Sequence, residues 1–300
     1  MNIYSQIAGN NTKTAILMSV FIAFVVVVAW ALGQATGYGS SFIGIALFFS
    51  AITSVGSYFW GDKIILAMSG ARPADRKRDF DFYTVAENLA IADGIATPKL
   101  YVIDDTAMNA FATGRDPQHA IVCATSGILA RLDRRELEGV IAHELSHVKN
   151  FDIRLMLVVT VLAGTIVFLA DWFMRSLWWG GMRRRDDRED RNGGQILMII
   201  GILLAILSPL IATIIKLAVS RQREYQADAS GALLTRYPEG LARALEKLKN
   251  DREVLEAATN ATAHLFITNP FKGKNYGAWF AGLFDTHPPI EERIKRLRSM

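Results

Sequence analysis

The chain has 300 residues, 51% of them hydrophobic and 21% charged, with a formal net charge of +4. This length allows one large domain or two small ones, and the mild charge, without a basic stripe interleaved with aromatics, argues against nucleic-acid binding. The only cysteine, Cys123, cannot form an intramolecular disulfide, which excludes a disulfide-stapled secreted fold. Because arginines cluster near apolar segments, anionic headgroups of a lipid bilayer are the expected partners.

Four apolar segments are candidates for membrane helices: residues 14–32, 42–60, 155–170 and 196–215. The first two contain no charged residue and approach the roughly 20 residues that cross a bilayer. The first could instead be a cleaved signal peptide, but the second follows so closely that an uncleaved anchor is favoured. The last two are either buried core helices or a hairpin that crosses or dips into the membrane.

Basic residues indicate the orientation of the chain. The second apolar segment is followed by Lys63, Arg72, Arg76, Lys77 and Arg78, whereas the linker before it is uncharged. Because basic residues concentrate on the inner side of membranes, the segment from Gly61 to Ile153 is expected to be cytoplasmic. Five arginines between residues 183 and 191 run against this rule if the second hairpin crosses. The predicted organisation is a membrane hairpin (1–61), a first catalytic part (62–153), a second hydrophobic hairpin with a charged loop (154–219) and a second catalytic part (220–300).

The first catalytic part mixes helix and strand patterns. Residues 82–92 read as a helix ended by Gly94, and residues 99–103, 109–113 and 119–125 read as short strands. A further helix is expected after Asp133, which is a good N-cap residue and is followed three positions later by Glu136 in a capping-box pattern.

That helix carries the motif His143-Glu144-Leu145-Ser146-His147. Histidines four residues apart share one helical face, so both rings can bind one metal ion, and Glu144 beside them can polarise a water held by the metal. Zinc suits the arrangement because it takes three protein ligands, keeps one position for water and lowers the pKa of that water. The motif therefore predicts one Zn²⁺ per chain, in preference to two surface histidines on an ordinary helix.

The third ligand does not lie within this motif. A metzincin would need glycine at 150 and histidine at 153, where this chain has Asn150 and Ile153. Cys123 would be the ligand in a deformylase-like site, but its apolar neighbours disfavour that. Glu224 and Asp228 share a face of a later helix, so Glu224 is predicted to bind the metal while Asp228 orients a ligand histidine. The spacing also predicts that both metal-binding helices are direct extensions of the second hydrophobic hairpin.

Together these motifs resemble the HtpX family of bacterial membrane-bound zinc proteases, which are gluzincin relatives of the CAAX prenyl endopeptidases. The resemblance covers nearly the whole chain. It implies an α+β membrane protein with about four hydrophobic helices, a mostly helical zincin-like catalytic domain and a small β-sheet. It also implies a zinc endopeptidase of the bacterial inner membrane, acting at the cytoplasmic face on misfolded or damaged membrane proteins in stress-related quality control.

Two further motifs agree with this family. The strand at Asn109, Ala110, Phe111 and Ala112 resembles its substrate-binding strand, and an open strand edge can pair with an extended peptide through backbone hydrogen bonds. His287 and Arg293 resemble its C-terminal His-Pro motif with the trailing arginine, and both are predicted to donate to an oxyanion.

Asp152, five residues after His147, is either an outer partner of the metal site or a polar junction before the membrane.

Two competing functions are disfavoured by the sequence. A non-catalytic scaffold would not need Glu144. A zinc-regulated transporter would need polar groups deep in its membrane spans, whereas the first two apolar segments have no charged residue. The sequence makes no prediction of oligomeric state.

Overall fold

A computed structural model of the chain describes residues 3–36, 41–181, 221–259, 262–271 and 288–300. Its helices are α1 (Ile3–Thr36), α2 (Ser41–Met68), α3 (Phe80–Asp93), α4 (Ser126–Arg131), α5 (Arg134–Lys149), α6 (Asp152–Gly181), α7 (Arg221–Thr235), α8 (Pro238–Asn250) and α9 (Ile290–Leu297). Its strands are β1 (Arg72–Pro73), β2 (Lys99–Ile103), β3 (Ala110–Thr113) and β4 (Ile121–Thr125). The apolar segment 196–215 lies outside the described residues.

Two helices in the described part of the chain are long and apolar enough to cross a membrane. Their candidate spans are Ala8–Trp30 in α1 and Ile43–Met68 in α2. Both carry large apolar side chains that no described part of the chain covers, such as Val27 in α1, which is 58% exposed, and Phe48 in α2, which is 67% exposed. Uncovered apolar surface of this kind suits contact with lipid. The helices extend past the predicted segments, and at the start of α1 the polar Asn10 is buried against the catalytic part.

The first half of α6 is a third hydrophobic helix, packed against α1 and α2. Leu155, Val158 and Leu162 form a buried cluster with Leu17 and Phe21 of α1. Close approach to α2 depends on Gly61, because a Cβ there would lie 3.0 Å from Leu157 Cγ. The described residues therefore contain three of the four predicted hydrophobic helices.

The zinc-motif helix is not a direct extension of this hydrophobic helix, so that prediction was wrong for the leg that the structure describes. α5 ends at Lys149, α6 begins at Asp152, and Phe151 between them has a φ of 60°. This left-handed conformation turns the chain sharply. The turn brings the Asp152 carboxylate back to His147, which a continuous helix would not do. The other leg begins in residues 182–220, outside the described part.

The four strands form one mixed sheet in the order β1-β2-β4-β3. β2 and β4 are parallel, whereas the outer strands pair antiparallel with their neighbours. The predicted strand 99–103 is confirmed, and the other two begin later than predicted. One reason is that Asp116 caps a short 3₁₀ turn, Pro117–His119, immediately before β4. β3 is left at one edge of the sheet.

The core of the catalytic part is built around α5. The predicted capping box is confirmed: Glu136 N–H donates to Asp133 Oδ1 at 2.9 Å, and Asp133 N–H donates to Glu136 Oε2 at 2.8 Å. α5 is buried over most of its length between α3, α7 and α8. Small residues allow this close packing, since a Cβ on Gly139 would lie 2.5 Å from Leu241 N of α8, and one on Gly231 of α7 would lie 3.1 Å from His143 N.

Candidate active site

The structure brings together His143 and His147 of α5 and Glu224 of the first turn of α7. Glu224 Oε1 lies 3.4 Å from His147 Nε2, and Glu224 Oε2 lies 3.8 Å from His143 Nε2. The ligand atoms of the three residues all lie within 4.8 Å of one another, and all three side chains are buried. This cluster of buried acceptor atoms can hold a metal ion.

The donor set and its spacing fit zinc. Zinc bonds of about 2.0–2.1 Å in tetrahedral geometry place neighbouring ligand atoms about 3.4 Å apart, close to the separations from Glu224 to the two histidines. Two imidazole nitrogens and one carboxylate are also the ligand set of catalytic zinc centres, which leave a fourth position open.

Each histidine of the cluster contacts a carboxylate through Nδ1, the ring nitrogen that does not face Glu224. His143 Nδ1 lies 3.0 Å from Asp228 Oδ1, and His147 Nδ1 lies 3.0 Å from Asp152 Oδ2. A carboxylate at Nδ1 keeps the proton on that nitrogen, so the Nε2 lone pair is free for the metal. Asp228 contacts His143, which is the kind of contact expected of it from the sequence. Asp152, for which two readings were open, contacts His147 in the same way, and its only sequence signal was an acid placed just before an apolar segment.

Arg293 is buried beside these carboxylates, with 1% of its surface exposed. Its Nε and Nη2 donate to the two oxygens of Asp228 at 2.9 and 2.7 Å. Its Nη1 donates to the Ile267 carbonyl at 3.3 Å and lies 3.6 Å from Glu224 Oε2. Burial alone would raise the pKa of Asp228, but the Arg293 charge and the bond with His143 lower that pKa to about 2. His287, its predicted partner, lies outside the described residues.

Glu144 is buried next to the ligands. Burial raises the pKa of its carboxyl, although the two neighbouring histidines act in the opposite direction. A raised pKa suits a carboxylate that must accept and release a proton. Glu144 lines one small cavity together with Ala112, His143, His147, Met156, Glu224, Leu265 and Ile267.

The predicted substrate strand lies beside this cavity as edge strand β3. Asn109 O accepts from Thr125 N of β4, so alternation along the strand points the backbone groups of Ala110 and Ala112 away from the sheet. Ile267 N–H already donates to the Ala110 carbonyl at 3.0 Å. Ala112 therefore lies at the outer edge, next to the ligands.

The other two strand residues have inward contacts. The Asn109 side chain donates to the Thr268 carbonyl at 3.1 Å, so it holds the segment that follows the 3₁₀ turn Ala263–Leu265. The ring of Phe111 packs edge-on against Phe266, with ring centroids 5.2 Å apart. Both side chains support the shape of the cleft, which leaves Ala112 as the position best placed to meet a peptide.

The fold and this site define a membrane-associated metallopeptidase. A helix carries two histidines and a glutamate, a second helix supplies another glutamate, and two further helices are long enough to cross a membrane. The chain belongs to peptidase family M48, whose family model matches residues 76–300.

Within that family the chain is similar to HtpX proteases, which confirms the resemblance drawn from its motifs. A protease HtpX homolog of Caldanaerobacter subterraneus subsp. tengcongensis is 45% identical over 299 residues, covering 99% of this chain and 98% of the relative. One from Dictyoglomus thermophilum is 46% identical over 297 residues, covering 99% and 94%. The crystal structure of S. mikatae Ste24p is similar in fold, with a TM-score of 0.50 at 18% identity, covering 98% of this chain and 67% of that one.

Proposed function

We propose that this protein is a zinc-dependent endopeptidase that cleaves unfolded or damaged membrane proteins at the cytoplasmic face of a bacterial plasma membrane. The observation that carries the proposal is the buried cluster of His143, His147 and Glu224 with Glu144 beside it. Glu144 is not one of the three ligands, and burying its carboxylate is unfavourable for the fold. Peptide hydrolysis, in contrast, requires a base beside the metal.

Glu144 is the general base and then the general acid. It accepts a proton from the water that attacks the scissile carbonyl and returns it to the leaving amine. Burial, which raises the pKa of Glu144, makes it able to hold that proton between the two steps. Zinc, when bound by His143, His147 and Glu224, supplies Lewis acidity and lowers the pKa of a water ligand toward neutrality.

Asp228, Asp152 and Arg293 are positioning residues in this mechanism. The two aspartates hold the ligand rings, and Arg293 balances the charge of Asp228 and Glu224. Its described contacts are with Asp228, Glu224, His143 Nδ1 and the Ile267 carbonyl, and they support this role more directly than donation to an oxyanion. For His287, donation to an oxyanion remains the prediction.

The peptide is proposed to bind along β3. Ala112 presents backbone groups at the outer edge of the sheet, and pairing with an extended peptide there is independent of the peptide's side chains. Such recognition suits substrates that have lost their folded structure. Membrane anchoring adds selectivity, since it raises the local concentration of substrates that share the bilayer.

Cleavage assays with one substitution and a matched control test this proposal. Wild type, Glu144→Gln and Glu138→Gln are purified in detergent without chelators, and bound zinc and cleavage of an unfolded membrane protein are measured for each. Glu138 lies on the same helix with its carboxylate 3.5 Å from the Arg134 side chain, away from the ligands. We expect zinc in all three proteins and cleavage by wild type and Glu138→Gln only. Cleavage by Glu144→Gln at the wild-type rate would refute the mechanism, and zinc without cleavage in any protein would favour a scaffold.

The cytoplasmic orientation has its own test. In a Cys123→Ala background, single cysteines are placed at exposed Lys77, after α2, and at Ser40, in the predicted outer linker. A membrane-impermeant thiol reagent added to intact cells should label position 40 and spare position 77. Labelling of position 77 alone would place the active site on the outside.

A further inference from the structure

The first membrane helix carries a buried amide at its catalytic end. Asn10 is the third residue of the candidate span Ala8–Trp30, and only 3% of its surface is exposed. A buried amide requires hydrogen-bond partners, because an unpaired polar group in a dry environment is destabilising. Its partners therefore show what this end of α1 is built to contact.

Those partners lie at the junction behind the metal site. Asn10 Nδ2 donates to Asp152 Oδ1 at 2.8 Å and to the Asn150 carbonyl at 3.1 Å. Arg223 Nη1 donates to Asn10 Oδ1 at 3.0 Å and also to Asp152 Oδ1 at 3.0 Å. Asn10 thus joins α1 to the turn between α5 and α6 and to α7, one residue before Glu224.

Asp152 is consequently held at both oxygens. Its Oδ2 lies 3.0 Å from His147 Nδ1, while its Oδ1 accepts from Asn10 and Arg223. A carboxylate fixed at both ends cannot rotate, so the imidazole that it orients is also fixed. Removing the Asn10 amide takes away one of the two donors to Oδ1 and also the amide oxygen that accepts from Arg223, so both groups that hold Asp152 are less constrained.

We infer that Asn10 is a positioning residue for the metal site, through which the first membrane helix holds the ligand His147. The inference rests on the proposed zinc-dependent activity. It gives α1 a role beyond anchoring, because the helix contributes a side chain to the support of the catalytic centre. It also implies that α1 stays in the working enzyme, in agreement with an uncleaved first segment.

The test uses three variants of the full chain. Asn10→Ala removes all three contacts, and Asn10→Asp places a carboxylate beside Asp152 in place of a donor. Thr14→Ala is the matched control, because its buried hydroxyl donates only to the Asn10 carbonyl within α1, at 2.9 Å.

Zinc affinity is measured by competition with a chelator, alongside kcat, KM and the thermal stability of the zinc-free protein. Loss of an outer partner of a metal ligand typically costs 10–100-fold in affinity, and Asn10 lies one contact further out, so we expect a rise in Kd of about 10-fold. Asn10→Asp should bind zinc more weakly still, because it places a second carboxylate beside Asp152 in place of a donor. Saturating zinc should restore most of the kcat of Asn10→Ala with KM unchanged.

Equal zinc affinity in Asn10→Ala and Thr14→Ala would overturn the inference, and so would a loss of stability with no change in affinity. A wild type that binds zinc without cleaving would refute the protease proposal alone, since the affinity comparison would still hold. A wild type that binds no zinc would overturn both.

Discussion

Replacing Arg293 with methionine removes the cation that lies between Asp228 and Glu224 while keeping a side chain of similar length. In the folded protein this leaves Asp228, itself 2% exposed, as a buried carboxylate whose strongest partner is gone. The effect should therefore be large, because the buried Asp228 carboxylate loses its counter-ion without gaining solvent in exchange.

The expected magnitude follows from what remains around Asp228. Removing one partner of a buried ion pair typically lowers the free energy of unfolding by about 3–5 kcal/mol. His143 Nδ1 still lies 3.0 Å from Asp228 and keeps one hydrogen bond, so the lower end applies. A loss of about 3 kcal/mol corresponds to a fall in Tm of roughly 6–12 °C for a catalytic part of this size.

Cys123 provides the assay. It is the only cysteine and is fully buried in β4, and burial raises the pKa of its thiol, so it is unreactive in the folded protein. A fluorogenic thiol reagent in a thermal ramp therefore reports opening of the catalytic core. The zinc-free protein is used, so that loss of metal does not add to the result.

Arg298→Met is the matched control. Arg298 also contacts two carboxylates, Glu239 at 3.0 Å and Glu246 at 2.8 Å, but at the surface, where solvent and salt screen the pairs. We expect only a small change in Tm for Arg298→Met. The double variant Arg293→Met with Asp228→Asn should be more stable than Arg293→Met alone, because it no longer buries an unpaired charge. Equal Tm values for Arg293→Met and Arg298→Met, or additive effects in the double variant, would refute this reasoning.

Three further predictions concern the ligands and their partners. Glu224→Ala should lose zinc, measured as metal per chain after dialysis; full retention would rule out Glu224 as the third ligand. Asp152→Asn should keep zinc but raise its Kd about 10–100-fold in chelator competition, and an unchanged Kd would contradict its role at His147. Asp228 has a folded pKa of about 2, below that of an unfolded carboxyl near 4, so the stability that it adds is fully present above about pH 4 and lost as pH falls toward 2. Circular dichroism melts of zinc-free wild type and Asp228→Asn should show this; a difference that already shrinks between pH 7 and 5 would contradict it.

The helix that carries His143 and His147 was predictable because its signals are local. The capping box at Asp133 and the spacing of His143 and His147 lie within one helix, where neighbouring positions determine geometry. The proximity of Glu224 to the two histidines was predictable with one further argument, because an acid at the start of a later helix was the remaining candidate ligand once the metzincin and cysteine alternatives were disfavoured.

The outer partners could not be predicted in the same way. Asp152 reaches His147 because Phe151 adopts a left-handed conformation. A phenylalanine gives no local sequence signal for such a turn. Asn10 lies 142 residues from Asp152 in the chain, and a polar residue at the start of an apolar segment reads simply as the end of a membrane helix. The parallel pairing of β2 with β4 is likewise a tertiary feature, because strand patterns give no order within a sheet.

A metal titration of activity tests the central claim most directly. Zinc-free wild type and Glu144→Gln are titrated with zinc, and bound metal and cleavage of an unfolded membrane protein are followed together. The account predicts that wild-type cleavage rises until one zinc is bound per chain, while Glu144→Gln binds the same zinc without gaining activity. Cleavage by the zinc-free wild type, or equal cleavage by both zinc-loaded proteins, would contradict it.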